Sequence, residues 1–223
     1  AEQRGDIVLM TYFYEGLGTV TFGRGYYDRS MYYYRRGLSI SPDKSLRNYY
    51  FQDSIGPIYL DWGELDQAYE YLRQSIAAKE NFGLTEALPS AYFQFGNVLL
   101  VRREFPQAEK YLRKALRIIE EYGGDHVIYT LANLLLSICL GAQGRSVEAQ
   151  DLFDKARRQS GTQSDYLKGL YQVVECLYML QAGNMETAYS RLHEILPENE
   201  KVGARKPLCI TYSALALVGI LRR

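Results

Sequence analysis

Apolar residues fall along this chain in paired stripes of helical period. Leu65, Ala68, Tyr69, Leu72 and Ile76 recur at three- and four-residue steps, as do Phe105, Ala108, Leu112, Ala115 and Leu116; this is the spacing of one buried helix face. Each stripe follows another: Tyr49, Gln52, Ile55, Gly56 and Tyr59 precede the first, and Tyr92, Phe95, Gly96 and Leu99 the second. The pairs keep register along the chain. A small residue recurs at Ser30, Ala68, Ala108, Ala149 and Ala188, at spacings of 38, 40, 41 and 39, and five residues before each stands Gly25, Gly63, Arg103, Gly144 or Gly183. Glycine there can end the first helix in the left-handed conformation, and the small residue marks a close crossing of two helices. Arg103 adopts that conformation less readily, so a different turn is the alternative in the third unit. A period near 40 with one tight turn per unit predicts an all-α helical solenoid.

The expected units run over about 6–40, 45–80, 85–121, 125–159 and 164–196, with the first helix of a sixth pair over 204–223. Ala216 lies 40 residues after Cys176, in the equivalent slot. On this reading 1–223 is one solenoid segment of five helix pairs and an unpaired last helix. The absence of an initiator Met and the stop at Arg223 suggest a piece of a longer protein. Gly, Pro and polar residues place linkers at Ser41 to Lys44, Asn81 to Gly83, Tyr122 to Gly124, Ser160 to Gly161 and Pro197 to Lys206. Pro89 suits the first turn of a helix, whereas Pro57 falls mid-helix and predicts a bend.

These residues resemble the tetratricopeptide repeat (TPR), whose pattern places Leu-Gly and Tyr in the first helix and Gly, an aromatic and Ala in the second. Ile55, Gly56, Tyr59, Gly63, Leu65, Ala68 and Leu72 carry the resemblance best. Ser137 and Cys176 depart from it at the first-helix glycine, and Ser146 at the second-helix aromatic. The units exceed the usual repeat by about six residues. In that length they resemble the sensor arrays of MalT-like, LuxR-family bacterial transcriptional regulators, where a signal-transduction ATPase and a DNA-binding domain flank the array. The resemblance implies a right-handed TPR-like superhelix of antiparallel helix pairs.

Composition narrows the chemistry. Twenty-six basic and 26 acidic residues cancel to a formal charge of zero, which gives nucleic acid or an anionic membrane no bulk attraction. The only histidines are His126 and His193, and no HExxH, CxxC or phosphate-loop pattern occurs. The expectation is no enzyme, no cofactor and no metal site. Cys139, Cys176 and Cys209 are scattered in apolar runs, which reads as reduced packing cysteines in a cytoplasmic protein. The longest apolar run, Leu208 to Leu221, is too short to span a bilayer. A basic series, Arg35, Arg36, Arg73, Arg113, Lys114 and Lys155, recurs at one register of the second helices. It reads as a solvated outer face, with nucleic-acid or acidic-partner binding as the alternative. The 21 tyrosines suit helix packing and binding surfaces alike.

The resemblance implies that first helices line a concave surface. It places there Tyr12, Glu15 and Thr19, then Tyr50 and Asp53, then Phe93 and Asn97, as the candidate binding residues. Leu134, Ile138, Val173 and Leu177 continue the list as aliphatics, for which packing is the simpler role. Where some TPR domains grip a terminal carboxylate with Lys, Arg and Asn, the matching positions here offer Glu15 and Asp53. An anionic tail is therefore disfavoured, and a small-molecule inducer or a neutral or basic peptide is expected instead. Other domains of the same chain and self-association through the last helix are further expected partners. Two functions follow: the effector-sensing domain of a multidomain transcriptional regulator, or a constitutive scaffold that docks a peptide or helix in its groove.

Overall fold

The structure is a computed structural model that describes residues 2–42, 45–160, 165–202, 211–212 and 214–215. Among them are ten α-helices and no strand. The helices are α1 (Glu2–Gly23), α2 (Tyr27–Ile40), α3 (Leu46–Asp61), α4 (Leu65–Asn81), α5 (Leu88–Val101), α6 (Phe105–Tyr122), α7 (His126–Ala142), α8 (Ser146–Ser160), α9 (Asp165–Gln181) and α10 (Met185–Val202). A single 3-10 turn, Thr85–Ala87, leads into α5. Most of the terminal helix expected over 204–223 lies outside the described residues.

Every pair is joined by the same turn. The backbone N–H of Gly63 donates to Leu60 O at 3.0 Å, and that of Glu64 to Tyr59 O at 2.9 Å. These two bonds form a Schellman motif. They recur at Gly25, Gly144 and Gly183, all at φ between 72° and 82°. The alternative turn at Arg103 does not occur. Arg103 takes φ 63°, the only positive φ of a non-glycine residue among those described, and repeats both bonds, to Leu100 O and Leu99 O. The packing of α5 on α6 overrides the preference of the turn residue.

Within each pair the echo of small residues is the contact itself. Ser30, Ala68, Ala108, Ala149 and Ala188 are fully buried. A Cβ added to Gly56 would lie 2.5 Å from Leu72 Cγ, and one on Gly96 would lie 2.7 Å from Leu112 Cγ; Gly18 meets Tyr34 in the same way. Each glycine faces the residue sixteen positions later, so backbone and side chain interlock where larger residues would hold the helices apart.

The chain divides into two compact units, residues 1–124 and 125–223. In the first, each odd-numbered helix pairs with the next, and the backbones of α1, α3 and α5 also approach in succession, whereas those of α2, α4 and α6 do not approach one another. The first helices therefore form the closely spaced layer and the second helices the splayed one. A core of Met31, Tyr34, Phe51, Ile55 and Ile58 fills the space between α2 and α3. In the second unit α7 pairs with α8, α9 with α10, and α7 with α9. Among its described residues one buried cluster gathers around Leu134, Phe153 and Tyr171 and another around Val173, Cys176 and Leu192.

Two boundaries differ from the sequence expectation. Helix α1 begins at Glu2, ahead of residue 6. Helix α10 runs through Pro197 to Val202, where a linker was expected. Proline removes a hydrogen bond to the carbonyl four residues back. Here that carbonyl belongs to His193, and both residues are exposed, so water can satisfy it. Pro57 also lies inside a continuous helix, α3, and Pro89 sits in the first turn of α5 as expected.

Candidate binding face

All seven sequence-predicted binding residues fall on α1, α3 and α5 of the first unit. Tyr12 is exposed, and the Arg47 guanidinium stacks on its ring, 3.6 Å from the centroid. The same guanidinium pairs with the Glu15 carboxylate, so one α3 cation ties down two α1 residues. Thr19 Oγ1 donates to Glu15 O at 2.9 Å and lies 3.3 Å from the Tyr34 hydroxyl. Burial pushes that hydroxyl's pKa up, and the Thr19 contact opposes the shift.

One helix further on, Asp53 accepts from Lys79 Nζ at 2.9 Å and from Ser75 Oγ at 3.3 Å. Lys79 is only 1% exposed and also lies 5.2 Å from the centre of the Tyr50 ring. A buried ammonium is tolerated because a carboxylate and a ring face replace water around it. On α5, Phe93 is buried while Asn97 is half-buried. The Asn97 side chain makes no hydrogen bond to any described residue.

The two carboxylates therefore do not stand open. Glu15 and Asp53 each face an internal cation, and the face is electrically balanced. Neither cation was among the sequence candidates, yet both left a trace. Lys79 falls in the apolar register of α4, seven residues after Leu72 and three after Ile76. Arg47 lies three residues before Tyr50, on the same side of α3.

A family model for the tetratricopeptide repeat matches residues 88–160, and a second matches residues 53–82. Residues 53–82 and 88–160 thus carry tetratricopeptide repeats. Solved TPR-like structures resemble the chain over most of its length. A Rap protein complexed with Competence and Sporulation Factor has a TM-score of 0.68 at 15% identity, over 96% of this chain and 64% of that one. The Rap conjugation gene regulator of plasmid pLS20, in complex with the Phr* peptide, has a TM-score of 0.64 at 16% identity, over 95% of this chain and 64% of that one. A thermophilic TPR protein of Thermus thermophilus has a TM-score of 0.66 at 16% identity and is matched over 99% of its own chain and 92% of this one. This chain thus spans a little under two thirds of the Rap chains, and at these identities the likeness is one of fold. No curated protein matches it in sequence. Among the described residues no helix is long and apolar enough to cross a membrane.

Proposed function

We propose that this TPR chain is a non-catalytic binding module that takes an extended, uncharged peptide along α1, α3 and α5, and that it serves as the effector-sensing part of a larger transcriptional regulator. The observation that carries the reading is the charge state of the face. Glu15 and Asp53 are matched by Arg47 and Lys79, so a ligand gains little there from net charge. What is left to offer is the exposed Tyr12 ring, the edge of Tyr50 and the unpartnered Asn97 amide. One amide supplies a carbonyl acceptor and an N–H donor, which matches a peptide unit. Rings on successive helices suit an extended ligand better than a compact one. The pLS20 regulator, similar in fold, is a peptide complex. The sensing role rests on the period near 40 and its resemblance to MalT-like arrays. A sensing ligand must bind one conformation better than another.

The test is a library of fluorophore-labelled uncharged peptides, scored by anisotropy against this chain. The expected hit binds with little salt dependence and loses about tenfold in affinity on Asn97→Ala, the effect of leaving peptide groups unpaired. Binding unchanged in both Asn97→Ala and Tyr12→Ala, with both variants folded, sinks the assignment. The pre-organised ion pairs on this face favour a second reading, a constitutive scaffold. Scattering profiles that do not change when the peptide binds would select it.

A further inference from the structure

The splayed second helices carry the basic series noted in the sequence, and the structure separates its members. Arg73 pairs with Glu70 at 2.8 Å, Arg113 with Glu109 at 2.8 Å, Lys114 with Glu80 at 3.4 Å and Lys155 with Asp151 at 3.7 Å. Arg35 and Arg36 on α2 have no carboxylate partner among the described residues. Arg35 donates only to the Tyr59 hydroxyl, at 2.9 Å. The repeat explains the difference. Two positions after the buried small residue stands Glu70 in the second unit and Asp151 in the fourth, but Tyr32 in the first. In those two units this residue pairs with the basic stripe, in the third Glu109 and Glu80 do so from other positions, and in the first an aromatic ring stands there.

These two guanidiniums line an open cleft of about 530 Å³. Met31, Tyr32 and Ser39 of α2 and Trp62 at the end of α3 complete its wall. Tyr32 is 58% exposed and Trp62 42%, large values for rings of this size. Asp28 stands at the far end, two helical turns from Arg35, about 10 Å along the axis. Paired guanidinium forks match carboxylate oxygens in geometry and charge, and the flanking rings offer apolar surface to the residues beside them. We propose that this cleft binds an acidic peptide segment, in which carboxylate side chains meet Arg35 and Arg36 and an adjoining apolar side chain packs on Trp62. Nucleic acid fits less well. It needs several phosphate contacts along a basic track, and here the rest of the track is already neutralised.

Trp62 is the only tryptophan of the chain, so its fluorescence reports on this cleft alone. The probe is an end-capped hexapeptide of four glutamates, one phenylalanine and one leucine, with calorimetry as a second readout. A saturable change in Trp62 emission is expected, weakened by added salt and absent with the glutamine counterpart of the peptide. Arg35→Gln with Arg36→Gln should weaken binding by about tenfold or more. Arg36→Gln alone, which spares the Tyr59 contact, should weaken it in the same direction. Asn97→Ala should leave it unchanged, which separates this site from the α1, α3 and α5 face. The proposal is overturned if neither readout detects binding up to about 1 mM. Equal binding of the glutamine peptide, full affinity in the arginine variants, or tighter binding of a short single-stranded DNA would overturn it equally.

Discussion

Arg103 holds a conformation that costs an L-residue roughly 1 kcal/mol. The four glycines at equivalent positions hold it without that cost. The hydrogen bonds of the turn are the same in all five cases, so Arg103→Gly removes strain without removing a turn hydrogen bond. We expect it to raise stability by about 0.5–1 kcal/mol, read as a higher urea midpoint. Gly144→Arg, where a Cβ meets nothing within 4 Å, should lower stability by a similar amount. An unchanged midpoint in both variants would show that the turn stores no strain. The sequence marked this position correctly, because a glycine five residues ahead of a small residue is a local signal. It could not show that the odd turn keeps its geometry. That is decided by α5 and α6, packed through Gly96 and Leu112.

The α3 and α4 pair shows the same division between what is legible and what is not. Stripes at a 3.6-residue period are written in each helix separately, and Gly56 against Leu72 follows from aligning them. A polar partner drawn from another helix has no such period. Asp53 therefore reads as an open carboxylate in the sequence, while in the structure Lys79 lies against it. Removing one member of a buried ion pair leaves the other uncompensated. Asp53→Ala should cost about 3 kcal/mol, measured by denaturant unfolding. The double substitution Asp53→Leu with Lys79→Met should recover most of that loss. If the double variant is as unstable as the single one, the pair is not the cause. The same reasoning makes Asn97, with no hydrogen bond to any described residue to lose, the better probe of ligand binding. Helix α1 is the exception in packing: Phe13 and Val20 are exposed, while their counterparts in α3, Phe51 and Ile58, are buried.

Across the molecule, buried acids of high pKa set an alkaline limit. Desolvation, aided by Glu175, pushes the Cys176 thiol up to about 11. Burial raises Tyr34 and Tyr111, and raises Tyr92 and Tyr171 further; at Tyr92 a hydrogen bond to Glu80 adds to the effect. All of these groups are neutral when protonated, and the folded chain keeps its protons to higher pH than the unfolded chain does. The Cys176 contribution to stability is therefore complete below about pH 9 and is lost as pH rises through about 11, and the tyrosine contributions are lost at higher pH, as each raised pKa is passed. Melting temperatures should be flat up to about pH 9 and fall above it, with phenolate absorbance at the raised tyrosines appearing together with unfolding. A melting temperature independent of pH up to about 11 would contradict this. The repeat made these tyrosines and cysteines visible as packing residues. Their ionisation depends on neighbours in other helices, such as Glu80 beside Tyr92.

The position two residues after each buried small residue holds Tyr32, Glu70, Lys110, Asp151 and Ser190. The small residue two positions earlier, at the helix crossing, scarcely changes: Ser, then Ala four times. One column of the repeat thus records architecture and the next records chemistry, and the two can diverge independently. A single base change in the second column can make or unmake a charged outer surface while leaving the helix crossing beneath it intact.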